Sequence, residues 1–206
     1  MARCAMGRNV MFRWLTMPNG LGLFIYLLIL WLFSIVATNV LADSTTADTS
    51  EAIQGAIEEL VASEPRHPLY KSQEARQALA DAIAQASDEY DVPPFLMLTI
   101  AYRESSLRIK ALGKIGEAGL FQLHGVARRS CPHELNSDPL THARCGARWL
   151  RVAFEMCGKS WEYAILAYGS GSCRAGKESM WARRAVNRLK MAKRLEDKWH
   201  TTQTKK

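Results

Sequence analysis

Seventeen consecutive uncharged residues, Leu21 to Ala37 (LGLFIYLLILWLFSIVA), constrain this 206-residue chain more than any other feature. A helix in a soluble core has no need of so long a run. Arg3, Arg8 and Arg13 precede it, and Val40-Leu41-Ala42 follow it with small or modest side chains. Basic, then apolar, then small is the order of an export signal. The run is long for a cleaved signal and short of the roughly 20 residues of a comfortable membrane span. Residues 1–42 are therefore read as a signal peptide cleaved after Ala42 or as a single retained anchor, and both stay open. In either case the arginines keep the N-terminus cytoplasmic, and the rest is exported.

Export decides how the cysteines read. Cys4 lies in the signal region, which leaves Cys131, Cys145, Cys157 and Cys173 in an oxidising compartment, where two disulfides are expected. A zinc site would want C-x-x-C or H-x-x-x-H spacing, and the sequence has neither. A helix running from Cys145 to Cys157 would hold those two about 18 Å apart, beyond disulfide reach. Two pairings survive: 131–145 with 157–173, or 131–157 with 145–173.

The formal charge is +7, and without residues 1–42, which hold three arginines and no acid, it is +4. Arg183, Arg184, Arg188, Lys190, Lys193 and Arg194 concentrate on one helical stretch near the C-terminus. In an exported protein an anionic partner for them is the cell wall or lipid headgroups rather than nucleic acid. A solvated helix face explains them more simply.

Residues 43–65 are Ser/Thr/Asp/Ala-rich with a weak apolar rhythm (Ile53, Ile57, Leu60, Val61), and read as a linker. From there helical periodicity dominates, giving one mainly α domain over 66–199 and a short tail, 200–206. Ser72 is a plausible N-cap for a helix with Leu79 and Ile83 inside it, and Pro93-Pro94 separates this helix from the next, about 93–105. Further helices are expected over 125–129, 138–156, 161–168 and 180–199. Between the second and third, Gly113, Gly116 and Gly119 predict an irregular or small β-turn region.

Glu104 is the residue that chemistry singles out. Met97, Ile100 and Ala101 lie seven, four and three residues before it, so it continues an apolar stripe at a helix C-terminus. Desolvation and the negative helix end both favour a protonated carboxyl there, as a general acid for glycosidic cleavage requires. The bland alternative is an ion pair with Arg103 or, at i+4, Arg108. Downstream, Gly119-Leu120-Phe121-Gln122-Leu123 sets an amide between apolar neighbours after a flexible turn, and Ala167-Tyr168-Gly169 ends an apolar helix with a phenol.

Taken in order, Glu104-Ser105-Ser106-Leu107, Gly119-Leu120-Phe121-Gln122-Leu123, Asp138-Pro139, Gly146-Ala147-Arg148-Trp149-Leu150 and Ala167-Tyr168 resemble the catalytic domain of lytic transglycosylases of the soluble (SLT) type. The likeness covers about residues 75–175. It implies a goose-type lysozyme-like fold and peptidoglycan glycan strands as the substrate. Glu104 is then the catalytic acid/base, with Ser105, Phe121, Gln122 and Tyr168 about the substrate. The sequence departs from the family where Phe121 replaces a Met, where Gly169 replaces the Asn of Ala-Tyr-Asn, and where no Pro follows Gln122-Leu123-His124-Gly125. The implied reaction ends in a 1,6-anhydro sugar and needs one carboxyl, no metal and no organic cofactor. Glu117 and Asp138 are candidate second carboxylates for a hydrolytic muramidase of the same fold. The sequence also admits a non-catalytic wall-binding or assembly protein, and a basic membrane-active protein. An anchor and linker would suit an enzyme serving envelope-spanning machinery.

Overall fold

The structure is a computed structural model, and it describes residues 21–131, 138–174, 176 and 179–203. The arginines and cysteine of residues 1–20 lie outside the described residues. The chain divides into two compact units, Met1–Thr45 and Thr46–Lys206. Of the first, the described part is helical, and Ile25 to Leu32 are exposed. Among the described residues no helix is long and apolar enough to cross a membrane.

The second unit is mainly α, with no strand among its described residues. Helix α1 (Leu21–Val61) enters it and is followed by α2 (Pro68–Lys71), α3 (Gln73–Tyr90), α4 (Pro94–Ser105), α5 (Gly125–Arg129), α6 (Pro139–Met156), α7 (Trp161–Ser170) and α8 (Met180–Gln203). The expected start and stop signals operate. Ser72 Oγ accepts from Ala75 N–H at 3.0 Å. Asp138 accepts from the N–H groups of Leu140 and Thr141, and Pro139 fills the first turn of α6 where no N–H is needed. Asp91, in the left-handed region, ends α3 before the two prolines.

Part of the stretch read as a linker, residues 43–65, packs into the second unit. Ala52, Ile53, Ala56, Ile57, Leu60 and Val61 are buried in the main core. The weak rhythm is one face of a helix, and small residues let neighbours close on it: a Cβ at Gly55 would stand 2.4 Å from the Trp199 ring of α8. The domain therefore begins in α1, well before residue 66.

Helix α3 packs on α6, α4 on α8, and α7 on both α6 and α8. The whole of α4 from Phe95 to Ala101 is buried. Disulfides Cys131–Cys145 and Cys157–Cys173 take the first of the two pairings that the spacing allows, with Cα separations of 6.2 and 5.4 Å. The second of them ties the end of α6 to the chain just past α7. The stretch between α4 and α5 is a small turn structure pinned by two antiparallel bridges, Leu112 with Ala118 and Ala118 with Leu123.

Candidate active site

Glu104 sits in the last turn of α4, which stops abruptly two residues later. Ser106 and Leu107 both take left-handed conformations (φ 52° and 61°), a strained choice for residues with a side chain. Three contacts hold them there. Leu107 is buried, Ser106 N–H donates to Tyr102 O at 2.8 Å, and His67 Nε2 donates to Ser106 O at 2.7 Å. That tautomer is set by the other ring nitrogen, since His67 Nδ1 accepts from Leu69 N–H.

The Glu104 side chain is 22% exposed. Its partner is neither Arg103 nor Arg108, the latter reaching Glu64 instead. Arg188 of α8 donates from Nη2 to Glu104 Oε1 at 2.5 Å, and the Arg188 side chain is only 9% exposed. The basic face of α8 is thus solvated as expected at Arg183, Arg184, Lys190, Lys193 and Arg194, while Arg188 turns inward. This contact, which has no counterpart in the sequence reading, sets a buried cation from α8 against the Glu104 carboxyl.

The turn bearing Gln122 is fastened from three sides. Leu120 N–H donates to Nδ1 of the buried His142, against which Gly119 (φ 78°) packs with no room for a Cβ. Gln122 Nε2 donates to Ala111 O at 3.2 Å and Gly119 O at 2.9 Å. Because both partners are carbonyls, Nε2 is the donor in both contacts, and the amide oxygen is the side chain's acceptor. Tyr168 donates its hydroxyl to Phe121 O at 2.6 Å. Burial first, then the Glu104 carboxylate, push this phenol well above its ordinary value, with Arg188 pulling the other way. Tyr168 therefore stays protonated as a donor, in the electrostatic reach of Glu104.

Two residues expected at the substrate make contacts within the fold. Ser105 is buried, its hydroxyl donating to Ala101 O and accepting from Arg108 N–H, so it caps α4. Phe121 is 1% exposed, and its ring lies against Gly146 of α6, where a Cβ would meet it at 2.5 Å. Its contribution is the backbone carbonyl that Tyr168 grips. The candidate second carboxylates are also engaged. Glu117 folds back on its own turn, accepting from Ile115 N–H, and its own N–H and that of Ile115 hold its carboxyl below the usual range. Asp138 is held low chiefly by Thr141 while it caps α6.

Arg188 and His142 escape sequence reasoning. Nothing local marks Arg188, which is 84 residues from its partner and resembles its solvated neighbours. Its register gives a faint signal: it falls on the stripe Ala185, Arg188, Ala192, Leu195, which is buried.

The family whose model matches this chain is the transglycosylase SLT domain, over residues 81–187. The chain is also similar to curated proteins named X polypeptide. One from Escherichia coli is 34% identical over 103 residues, which is 45% of this chain and 60% of that protein. Another, from Escherichia coli strain K12, is 33% identical over 102 residues, 44% of this chain and 59% of the relative. The chain thus spans about 60% of the length of these relatives. No solved structure matches it.

Proposed function

The chain belongs to the transglycosylase SLT family, and on that footing we propose that it is a peptidoglycan lytic transglycosylase with Glu104 as its single acid/base. A protonated Glu104 gives its proton to the oxygen joining N-acetylmuramic acid to N-acetylglucosamine. The bond from that oxygen to the muramic C1 breaks, and the substrate's own N-acetyl group stabilises the cationic centre. The muramic C6 hydroxyl then attacks C1 and returns its proton to Glu104. The result is a 1,6-anhydro end, with no water consumed.

One observation carries this reading. Glu104 is the partly open carboxylate at the stop of a buried helix, whereas Glu117 and Asp138 are both committed to nearby backbone N–H groups. Gln122 and Tyr168 stand for substrate recognition, Gln122 through its amide oxygen and Tyr168 by holding the turn that presents it. Export through residues 1–42 would bring the domain to the periplasm, where its substrate lies, and a role beside envelope-spanning machinery is compatible with that placement.

Release of soluble fragments from purified peptidoglycan tests the proposal. The exported domain clears it, and Glu104→Gln loses about 10²-fold or more of the rate, the usual weight of a general acid/base. Equal clearance by a folded Glu104→Gln domain would remove Glu104 from the mechanism.

A further inference from the structure

A carboxyl has two oxygens, and a general acid must present one of them, protonated, to the leaving oxygen. In Glu104, Oε1 is taken by Arg188 Nη2 at 2.5 Å. The guanidinium is positively charged throughout the accessible pH range and has only donors to offer, so Oε1 is an acceptor as long as the contact lasts.

Helix α8 is built to make it last. Near one end, Trp181 closes on Gly169 of α7, where a Cβ would stand 2.9 Å from its ring. Toward the other, Trp199 closes on Gly55 of α1. Between these two anchors the buried residues Ala185, Ala192 and Leu195 seat the helix, and Arg188 is the charged member of that stripe. A buried guanidinium held by a helix docked on both sides is a fixed dipole partner rather than a wandering surface charge. The missing side chain at residue 169 belongs to the same arrangement, because an Asn there would drive its Cβ into Trp181.

We propose that Arg188 is the positioning residue of the catalytic carboxyl: it holds Oε1, so that Oε2 carries the proton to the glycosidic oxygen and receives it back from the C6 hydroxyl. This assignment rests on the transglycosylase reading and adds to it a residue one position past the matched segment. In the first half of the reaction Oε2–H breaks as the leaving oxygen gains its hydrogen, and the electron pair of the C1–O bond goes to that oxygen. Arg188 faces the carboxylate this leaves behind, before substrate charge has been neutralised. In the second half the C6–O–H bond breaks, C6–O–C1 forms, and the proton returns to Oε2. Arg188 neither gives nor takes a proton in either half.

Three folded proteins, wild type, Arg188→Lys and Arg188→Ala, decide it through steady-state release of glycan fragments with and without added methylguanidinium. The expected result for Arg188→Ala is a fall of about 10²-fold in kcat, the scale of losing one preorganised charged donor, with KM changed less than about threefold. Methylguanidinium should return at least about tenfold of that rate to Arg188→Ala and none to Glu104→Gln. Arg188→Lys, a point charge without the planar fork, should fall between. Unchanged kcat in folded Arg188→Lys and Arg188→Ala overturns the proposal. So does a loss seen mainly in KM, or one that methylguanidinium does not restore, since a mere brace for α8 would give those results. If Arg188→Ala does not fold, Arg188→Lys alone decides: a lowered kcat supports the assignment and a wild-type kcat overturns it. A wild type that releases nothing would instead sink the transglycosylase reading, and this assignment with it.

Discussion

Gly146→Ala puts one methyl group where the packing leaves no room. On an ideal backbone the new Cβ lies 2.5, 2.6 and 2.7 Å from Cγ, Cδ2 and Cδ1 of Phe121. Ordinary carbon contacts begin near 3.5 Å, so about 1 Å of separation must be found. The ring is 1% exposed and cannot swing into solvent. Overpacking of this kind costs about 1–3 kcal/mol, and three ring atoms in contact argue for the upper part of that range. Helix propensity offsets it, because Ala in a helix interior is favoured over Gly by about 0.8–1.0 kcal/mol. The net destabilisation is then about 2 kcal/mol, or a fall of roughly 4–8 °C in Tm for a domain of this size. Activity should fall too, since Phe121 O anchors Tyr168 and the next residue is Gln122. Thermal unfolding of wild type, Gly146→Ala, Phe121→Leu and the double variant gives the test. The double variant should recover about 1–2 kcal/mol over the sum of the singles, as expected for residues in contact. A Gly146→Ala domain as stable as wild type, or strict additivity in the cycle, would refute the packing argument.

Two further outcomes concern the domain around the site. Each disulfide closes a loop of about 15 residues, worth roughly 3 kcal/mol by chain entropy, so Cys157→Ala/Cys173→Ala should lower Tm by about 6–12 °C. A reducing agent should lower the wild-type Tm further than it lowers that of the double variant, as read by calorimetry. Asp138→Ala should cost about 1 kcal/mol at neutral pH through the lost cap. The folded domain holds the Asp138 carboxyl below its usual range, so this stabilisation is present above about pH 4 and disappears as pH falls through the lowered folded value. Chemical denaturation of wild type and variant from pH 7 to pH 2 should show the two curves converging only at the acid end.

Periodicity and punctuation carried most of the fold. Pro93-Pro94, Ser72 and Asp138-Pro139 act through one or two backbone groups each, and such local chemistry is written in adjacent residues. The C-terminal part of α1 escaped because its polar composition imitates a linker, and four apolar residues signal a helix only when something covers them. Trp199, which closes on Gly55 of this segment, lies near the other end of the chain. The site divides along the same line. The proposed roles of Glu104, Gln122 and Tyr168 rest on a helix stripe and on a motif order in the sequence. Direction was not legible: Phe121 and Ser105 fit the motif, yet one points into the core and the other back along its own helix. Arg188 could be found only once α8 was docked, because the sequence offers Glu104 nearer cations at Arg103 and Arg108.

The sharpest test of the proposed transglycosylase reaction is the mass of the fragments released when the protein is incubated with purified peptidoglycan. An intramolecular attack by the C6 hydroxyl predicts muropeptides about 18 Da lighter than hydrolytic ones, since no water is added, and predicts their disappearance with Glu104→Gln. Reducing-end products from the wild-type domain would contradict it, and would mean that water is activated by a second group such as Glu117.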